Sequence, residues 1–73
     1  MAHIGQLIKQ EMERQERKPT WLAEKISCDR TNVYYIYQQE SLNTDTLERI
    51  SLALRHNFFA DLAQEMASQL SDT

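Results

Sequence analysis

Apolar residues recur every three or four positions along this chain, a spacing that places them on one face of an α-helix. The pattern predicts five helices, at about residues 3–15, 19–26, 30–38, 44–54 and 58–70. The chain has one glycine and one proline, which argues against a loop-rich or all-β fold. Because 73 residues suffice for only one domain, we predict an all-α fold in which residues 1–73 form a compact five-helix bundle.

Residues suited to helix ends mark these boundaries. Pro19 fits the first turn of the second helix, where its missing N–H has no intrahelical partner. Asn43 or Thr44 can cap the fourth helix, and Asn57 can cap the fifth. The stripes predicted to face the core are Ile4, Leu7, Ile8 and Met12 in the first helix and Leu47, Ile50, Ala53 and Leu54 in the fourth.

The segment 20–38 predicts two short helices that meet at a sharp corner. Ala23 is small, so the second of these helices can cross close over the first. Val33 and Ile36 lie three residues apart and give the second helix an inward face. Leu22 and Ile26, four residues apart, do the same for the first helix. This pairing is typical of a helix-turn-helix.

Three consecutive residues form the predicted corner. Ser27 lies at the bend itself. Cys28 would fill the gap just past the bend as a small buried residue, and Asp29 can cap the free N–H groups of the helix that follows.

The charge of the chain is unusual for a nucleic-acid binder, which commonly has a basic face. The net charge is -3, with six basic and six acidic residues in 1–40 but two basic and five acidic residues in 41–73. The acidic excess therefore lies outside the corner segment. We expect non-specific DNA affinity to be weak, because phosphate neutralisation supplies most of it.

No group of residues has the spacing of a catalytic or metal site. His3 and His56 lie far apart, with no partner at metal-ligand spacing. Gly5 is the only glycine, so the chain has no glycine-rich phosphate loop. Cys28 has no paired base, and each carboxylate falls on a predicted polar face. We therefore predict that the protein is not an enzyme and uses no cofactor or metal.

The location expected from the sequence is the cytoplasm. No apolar run is long enough to cross a membrane, and the N-terminus lacks the unbroken apolar core of a signal peptide. The single cysteine cannot form an internal disulfide, so a reduced, buried Cys28 in a reducing compartment is the simplest interpretation.

The fifth helix carries more apolar surface than a small core can cover. Its stripe includes Phe59, Leu62, Met66 and Leu70. Such a stripe usually finds a partner, which favours a homodimer through this helix. The alternative is that Met66 and Leu70 fold back on the first helix.

With its corner, its stripes and its five helices, the chain resembles a Cro/repressor-type helix-turn-helix domain (XRE family, lambda-repressor-like fold). The resemblance covers about residues 3–63 and is closest to short stand-alone members from bacteria of the Bacteroides group. The residues that carry it are Leu22, Ala23, Ile26, Cys28, Asp29, Val33 and Ile36. It implies a small bacterial transcriptional regulator that binds double-stranded DNA in a sequence-specific way.

Two positions depart from the family pattern. Ser27 stands where glycine is common, because the corner residue tends to take a left-handed conformation, which costs a non-glycine residue about 1 kcal/mol. Tyr37 stands where many members have a glutamate.

The resemblance also implies which residues touch DNA. In this docking mode the second helix of the pair enters the major groove with its N-terminal residues against the bases. The implied base contacts are Arg30, Thr31, Asn32 and Tyr35. Arg30 can make a paired contact to guanine and Asn32 to adenine. Alternatively, Arg30 could pair with a surface carboxylate, and Asn32 could only support the start of the helix.

Phosphate contacts are implied near the start of the first helix of the pair, which faces the DNA backbone in this mode. The candidates are Lys18, Thr20, Trp21 and Lys25, with Tyr34 at the edge of the groove. Trp21 also has a structural interpretation, as a cover over the seam between helices.

A second function class remains open. The acidic balance, the apolar tail and the tyrosine cluster of Tyr34, Tyr35 and Tyr37 would also suit a protein–protein interaction module on a helix-turn-helix scaffold, with weak or no DNA binding.

Overall fold

The computed structural model describes residues 3–71 and is all-helical within that range. Its helices are α1 (Ile4–Arg14), α2 (Pro19–Lys25), α3 (Arg30–Tyr37), α4 (Thr44–Leu54) and α5 (Phe58–Ser71). The predicted all-α bundle is confirmed, and each predicted boundary agrees to within one residue. Residues 1, 2, 72 and 73 of the predicted domain lie outside the described residues. None of the described helices is long and apolar enough to cross a membrane.

A single hydrophobic cluster lies between the helices. Its buried members are Ile4, Ile8, Met12, Leu22, Ala23, Ile26, Val33, Ile36, Leu47, Ile50, Leu54 and Phe58. The stripes expected on α1 and α4 supply half of this cluster, but Leu7 and Ala53 are only partly buried at its edge. The inward faces expected for α2 and α3 are confirmed.

Side chains cap two of the helices as expected. The Asn43 Oδ1 atom accepts a hydrogen bond from the Thr46 N–H at 2.8 Å. The Asn57 Oδ1 atom accepts one from the Ala60 N–H at 3.1 Å. Pro19 occupies the first position of α2, where no donor is needed. The two caps and Pro19 explain why α4, α5 and α2 begin where the sequence predicts.

Asp29 occupies the cap position of α3, but the prediction that its side chain caps the helix is wrong. Its main-chain carbonyl accepts the bond instead, from the Asn32 N–H at 2.9 Å. A hydrogen bond between residues three apart is typical of a 3₁₀ turn, and it satisfies the Asn32 N–H without the Asp29 carboxylate. The Asp29 side chain is exposed at the start of α3.

The corner between α2 and α3 is built on Ser27, whose φ of 57° lies in the left-handed region. This bend directs the Cys28 N–H back to the Ala23 carbonyl at 2.9 Å, which closes the end of α2. Cys28 is half-buried against the core, so it packs at the corner without being enclosed. The strain at Ser27 costs about 1 kcal/mol. It is offset by the close packing of α3 over Ala23, which is 5% exposed.

The N-terminal end of α1 rests directly on the end of α3. The Ile4 N–H donates to the Glu40 carbonyl at 3.0 Å, and the Gly5 N–H donates to the Gln39 carbonyl at 2.8 Å. These bonds satisfy donors that a helix start leaves unpaired. A Cβ atom at Gly5 would lie 2.2 Å from the Tyr37 carbonyl oxygen, so only glycine allows this approach. The contact fixes the C-terminal end of α3.

Glu11 is an exception to the expectation that every carboxylate lies on a polar face, because it is buried. The Arg14 guanidinium and the Gln15 amide both donate to its carboxylate. The Gln15 amide also donates to the Leu54 carbonyl at 2.8 Å. The His56 Nδ1 atom lies 3.6 Å from Glu11. The carboxylate therefore links α1 to the end of α4, a role that explains its burial.

The pKa of Glu11 is lowered from 4.5 to about 2, chiefly by the hydrogen bond from Arg14 and against the opposing effect of burial. A carboxylate with a depressed pKa stabilises the fold above its unfolded-state pKa, and this contribution is lost as the pH falls toward the folded value. Arg14 is exposed, and solvent screening reduces the net stabilisation. We expect Glu11→Gln to lower the free energy of unfolding by about 1–2 kcal/mol at neutral pH.

Urea unfolding measured between neutral pH and about pH 2 tests this expectation. The wild-type protein should approach the Glu11→Gln variant in stability below about pH 4.5. Glu13→Gln is the matched control, since Glu13 is exposed on the same helix. A constant gap between wild type and Glu11→Gln across this range would contradict the assignment.

The last helix, α5, differs from the other helices in that only its first part packs against the core. In α5, Phe58 is fully buried and Leu62 partly buried against the core. Farther along, Met66 is 44% exposed and Leu70 is 65% exposed. The alternative that Met66 and Leu70 fold back to be buried on α1 is therefore wrong. The apolar stripe stays at the surface because α5 meets the core only near its start.

Candidate nucleic-acid interface

The candidate interface is the outward face of α3. Val33 and Ile36 face the core and are 0% and 3% exposed, and Tyr37 packs partly against it, so the side chains of residues 30–32, 34 and 35 point away from the core. Arg30, Thr31 and Asn32 are all exposed in the first turn. The structure therefore brings three of the four expected base-reading residues together at the N-terminal end of one helix. This end is also the one that follows the fixed corner at residue 27.

Three tyrosines occupy the rest of α3. Tyr35 is 60% exposed and lies one turn beyond Thr31, on the same side of the helix. Tyr34 is 49% exposed, and its ring meets the half-buried Tyr37 ring edge-on, with centroids 6.2 Å apart. Burial raises the pKa of Tyr37. Tyr35 thus extends the exposed face of α3, whereas Tyr34 packs against Tyr37 at the edge of the core.

The first turn of α3 leaves Arg30 available. Within residues 3–71, Arg30 makes no ion pair with a carboxylate, so the alternative of a surface pair is not found there. The Asn32 main-chain N–H supports the helix start through Asp29, while its side chain is exposed. Both side chains can therefore extend toward a ligand without breaking a structural contact in the described part of the chain.

The candidate phosphate contacts fall into separate groups. Lys18 is the cap residue of α2 and its carbonyl accepts the Trp21 N–H at 2.9 Å. Lys18 and Thr20 line one shallow groove at the start of α2, which Trp21 and the acidic Glu16 and Glu24 line as well. Tyr34 lies apart from them on α3.

Trp21 and Lys25 lie on the flank of α2 that faces the end of α4. Trp21 is half-buried against the core, which fits its structural interpretation as a cover. The Arg17 guanidinium lies 4.4 Å from the Trp21 ring centroid, and the Lys25 ammonium lies 5.8 Å from it. Stacking of Arg17 on Trp21 was not expected from the sequence, because Arg17 precedes α2 and helical spacing does not relate it to Trp21. Trp21 and Lys25 lie four residues apart within the helix, a spacing that could have indicated their contact.

The histidines have structural partners. His3 caps α1, because its Nδ1 atom accepts the Gln6 N–H at 3.2 Å. The His56 Nε2 atom lies 2.7 Å from the Asp61 carboxylate, and its ring packs edge-on against Phe58. In the part of the chain that the structure describes, no three His, Cys, Asp or Glu residues are grouped so that they could hold a metal ion.

Comparisons with protein-family models, with curated proteins and with solved structures found no match to this chain.

Proposed function

We propose that this protein binds double-stranded DNA in a sequence-specific way, as a small cytoplasmic transcriptional regulator, with α3 in the major groove. One observation supports this most: the inward Val33 and Ile36 leave Arg30, Thr31 and Asn32 exposed side by side in the first turn. Arginine, threonine and asparagine are residue types that read base edges. The proposal includes membership of the Cro/repressor-type helix-turn-helix family, which the sequence resemblance predicts.

A reading helix must be held firmly if its side chains are to distinguish bases. Here the start of α3 is fixed by the left-handed residue Ser27, and its end is fixed by the close approach of Gly5. Val33 and Ile36 anchor the middle. Because all three parts are tied to the core, the first turn can enter a groove without rearranging. Lys18 and Thr20 would set the register by contacting phosphates.

Arg30→Ala should lose about 1–3 kcal/mol of discrimination between a selected site and random duplex, since a paired arginine–guanine contact is worth about that much. The site is first obtained by selection of bound sequences from a random duplex pool. Binding of the variant to both duplexes is then measured by gel shift at low and moderate salt.

Arg49→Ala is the matched control, because Arg49 is an exposed arginine on α4. It should leave the discrimination unchanged. If Arg30→Ala weakens binding to both duplexes equally, Arg30 contacts only phosphate. If the wild-type protein enriches no sequence from the pool and shows no binding at low salt, the DNA proposal fails.

The proposed regulator acts as a homodimer through the stripe of Phe59, Leu62, Met66 and Leu70 on α5. At 100° per residue these four side chains share one side of the helix, a sector of about 80° that contains no charged residue of α5. An uncharged apolar stripe is complementary to a second copy of itself, as a two-fold interface requires. A dimer would also double the contacts of a chain whose net charge opposes DNA binding.

Sedimentation at micromolar concentration tests this dimer, and a clean monomer would contradict it. A two-fold dimer should select an inverted repeat whose half-site centres are about 34–36 Å apart, or a multiple of that distance.

The rival function is a protein-interaction module that uses α3 itself. The exposure of Tyr34 and Tyr35 favours it, since tyrosine is enriched at protein interfaces. The gel shift distinguishes the two, because affinity that falls steeply with salt is characteristic of DNA binding.

A further inference from the structure

A second surface of the molecule lies away from α3 and gathers positive charge. It is an open hollow of about 780 Å³ between the end of α1, the flank of α2 and the end of α4. We call it the basic hollow, and the residues that matter to it are Arg14, Arg17, Trp21, Lys25, Leu52 and Arg55. None of the residues that line it comes from α3.

The charge of the basic hollow contrasts with that of the whole chain. The chain has a net charge of -3 and eight basic residues, of which four line this one hollow. No carboxylate is among its described lining residues. Arg14 is paired with Glu11, whereas Arg17, Lys25 and Arg55 make no ion pair with a carboxylate within residues 3–71. Three positive charges without an ion-pair partner in the described part of the chain therefore line one concave surface.

Apolar surface accompanies this charge. The Arg17 guanidinium and the Lys25 ammonium both lie over the Trp21 ring, 4.4 Å and 5.8 Å from its centroid. Leu52 is 71% exposed, the most exposed large apolar residue in the described part of the chain. It lies at the rim of the hollow, and no structural role in the core accounts for it. A ligand that carried only charge would leave Leu52 in water.

These observations favour a protein segment over a DNA backbone as the ligand. A phosphate backbone offers charge but no apolar group to cover Leu52 and the edge of Trp21. An acidic peptide with an apolar side chain offers both, because its carboxylates can meet Arg17, Lys25 and Arg55 at the rim. An arginine already stacked on an aromatic ring is also held in place for such a contact.

We propose that the basic hollow binds an acidic peptide segment of a partner protein, with a leucine-like side chain seated against Trp21 and Leu52. This site is separate from the α3 face and does not depend on the DNA-binding proposal. Trp21 and Lys25 are also among the implied phosphate contacts, so a peptide held here would compete with a DNA backbone for this flank of α2.

Two readouts on the full chain test this proposal. The probe is a short synthetic peptide of Glu, Asp and Leu carrying a fluorescent label, and the matched control peptide replaces each acid with its amide. Anisotropy of the label measures affinity. Emission of Trp21 reports the location, because it is the only tryptophan in the sequence. We expect saturable binding of the acidic peptide with a change in Trp21 emission, and much weaker binding of the amide peptide.

The variant Arg17→Glu/Lys25→Glu should weaken binding of the acidic peptide by at least about fivefold, as expected for the loss of two exposed ion pairs. Its control is Lys9→Glu/Arg49→Glu, which reverses one exposed lysine and one exposed arginine outside the hollow. Leu52→Ala changes no charge and should also weaken binding of the acidic peptide. Because Leu52 is outside the core, this variant remains informative if the charge-reversal variant fails to fold.

Several results would overturn the proposal. Equal binding of the acidic and amide peptides would do so, as would absence of binding in both readouts. Equal weakening by the two charge-reversal variants would show only general electrostatic attraction. The last such result concerns random duplex DNA. If Arg17→Glu/Lys25→Glu weakens DNA binding as much as it weakens peptide binding, and Leu52→Ala leaves DNA binding unchanged, the hollow holds DNA backbone and not a peptide.

Discussion

Replacing Gly5 with alanine should destabilise the fold by about 3 kcal/mol, the upper part of the range for an overpacked core site. The added Cβ would lie 2.2 Å from the Tyr37 carbonyl oxygen and 2.5 Å from the Ile36 carbonyl oxygen. Both atoms belong to the backbone of α3 and cannot rotate away. Alanine is favoured over glycine in a helix by about 1 kcal/mol, so the steric effect must exceed this opposing gain.

Chemical denaturation followed by circular dichroism measures this effect. Gln6→Ala is the control, because Gln6 is the next residue of α1 and its side chain is exposed. It should change the free energy of unfolding by less than about 0.5 kcal/mol. Equal stability of Gly5→Ala and wild type would show that α1 and α3 do not approach each other this closely in solution.

The same substitution connects the fold to the proposed function. If α1 moves away from α3 to accommodate the Cβ, the bonds from Ile4 and Gly5 to the connector at Gln39 and Glu40 lengthen. The end of α3 then loses one of its supports. We expect any folded fraction of Gly5→Ala to discriminate DNA sites less well than wild type, although Gly5 is remote from the bases in the proposed docking mode.

Local patterns account for most of what the sequence predicts correctly. Helix boundaries are decided by residues within three or four positions of one another, such as Pro19 in α2 and Asn43 before α4. The outward face of α3 could be predicted for the same reason. Once Val33 and Ile36 are assigned to the core, helical geometry leaves only one side for Arg30 and its neighbours.

Features that join distant segments could not be predicted in this way. Gly5 looks like an ordinary residue of an amphipathic helix until the carbonyls of residues 36 and 37 are placed beside it. Glu11 looks like a surface carboxylate, and only the arrival of His56 and the Leu54 carbonyl makes its burial understandable. In both cases the deciding neighbour is about thirty or more residues away in sequence, where spacing rules carry no information.

The basic hollow illustrates the same limit for sites. Lys25 can be related to Trp21 by its spacing of four residues within α2, so part of the hollow follows from a local pattern. Leu52 lies in α4 and Arg55 directly follows it, and the position of α4 relative to α2 depends on the whole bundle. The apolar stripe of α4 also predicted no role for Leu52, because this residue lies off that stripe. An exposed leucine is informative only once its surroundings are known.

The two adjacent phenylalanines at the start of α5 should differ in how their truncation to alanine affects the fold. Phe58 is fully buried, so Phe58→Ala should cost about 3–5 kcal/mol through lost burial and the cavity left behind. A 73-residue domain has roughly 4–11 kcal/mol of stability in total, so this variant should be largely unfolded or close to it. Phe59 is 36% exposed, and Phe59→Ala should leave the fold intact while weakening the proposed dimer.

Circular dichroism with urea measures the first effect, and sedimentation over a concentration series measures the second. The pair forms its own control, since the two changes remove the same atoms from neighbouring residues. If Phe59→Ala destabilises the fold as much as Phe58→Ala, then α5 is seated on the core by a different face from the one described. If Phe59→Ala stays folded and associates as strongly as wild type, the stripe on α5 is not the dimer interface. A symmetric dimer that binds an inverted repeat would then have to form through another surface.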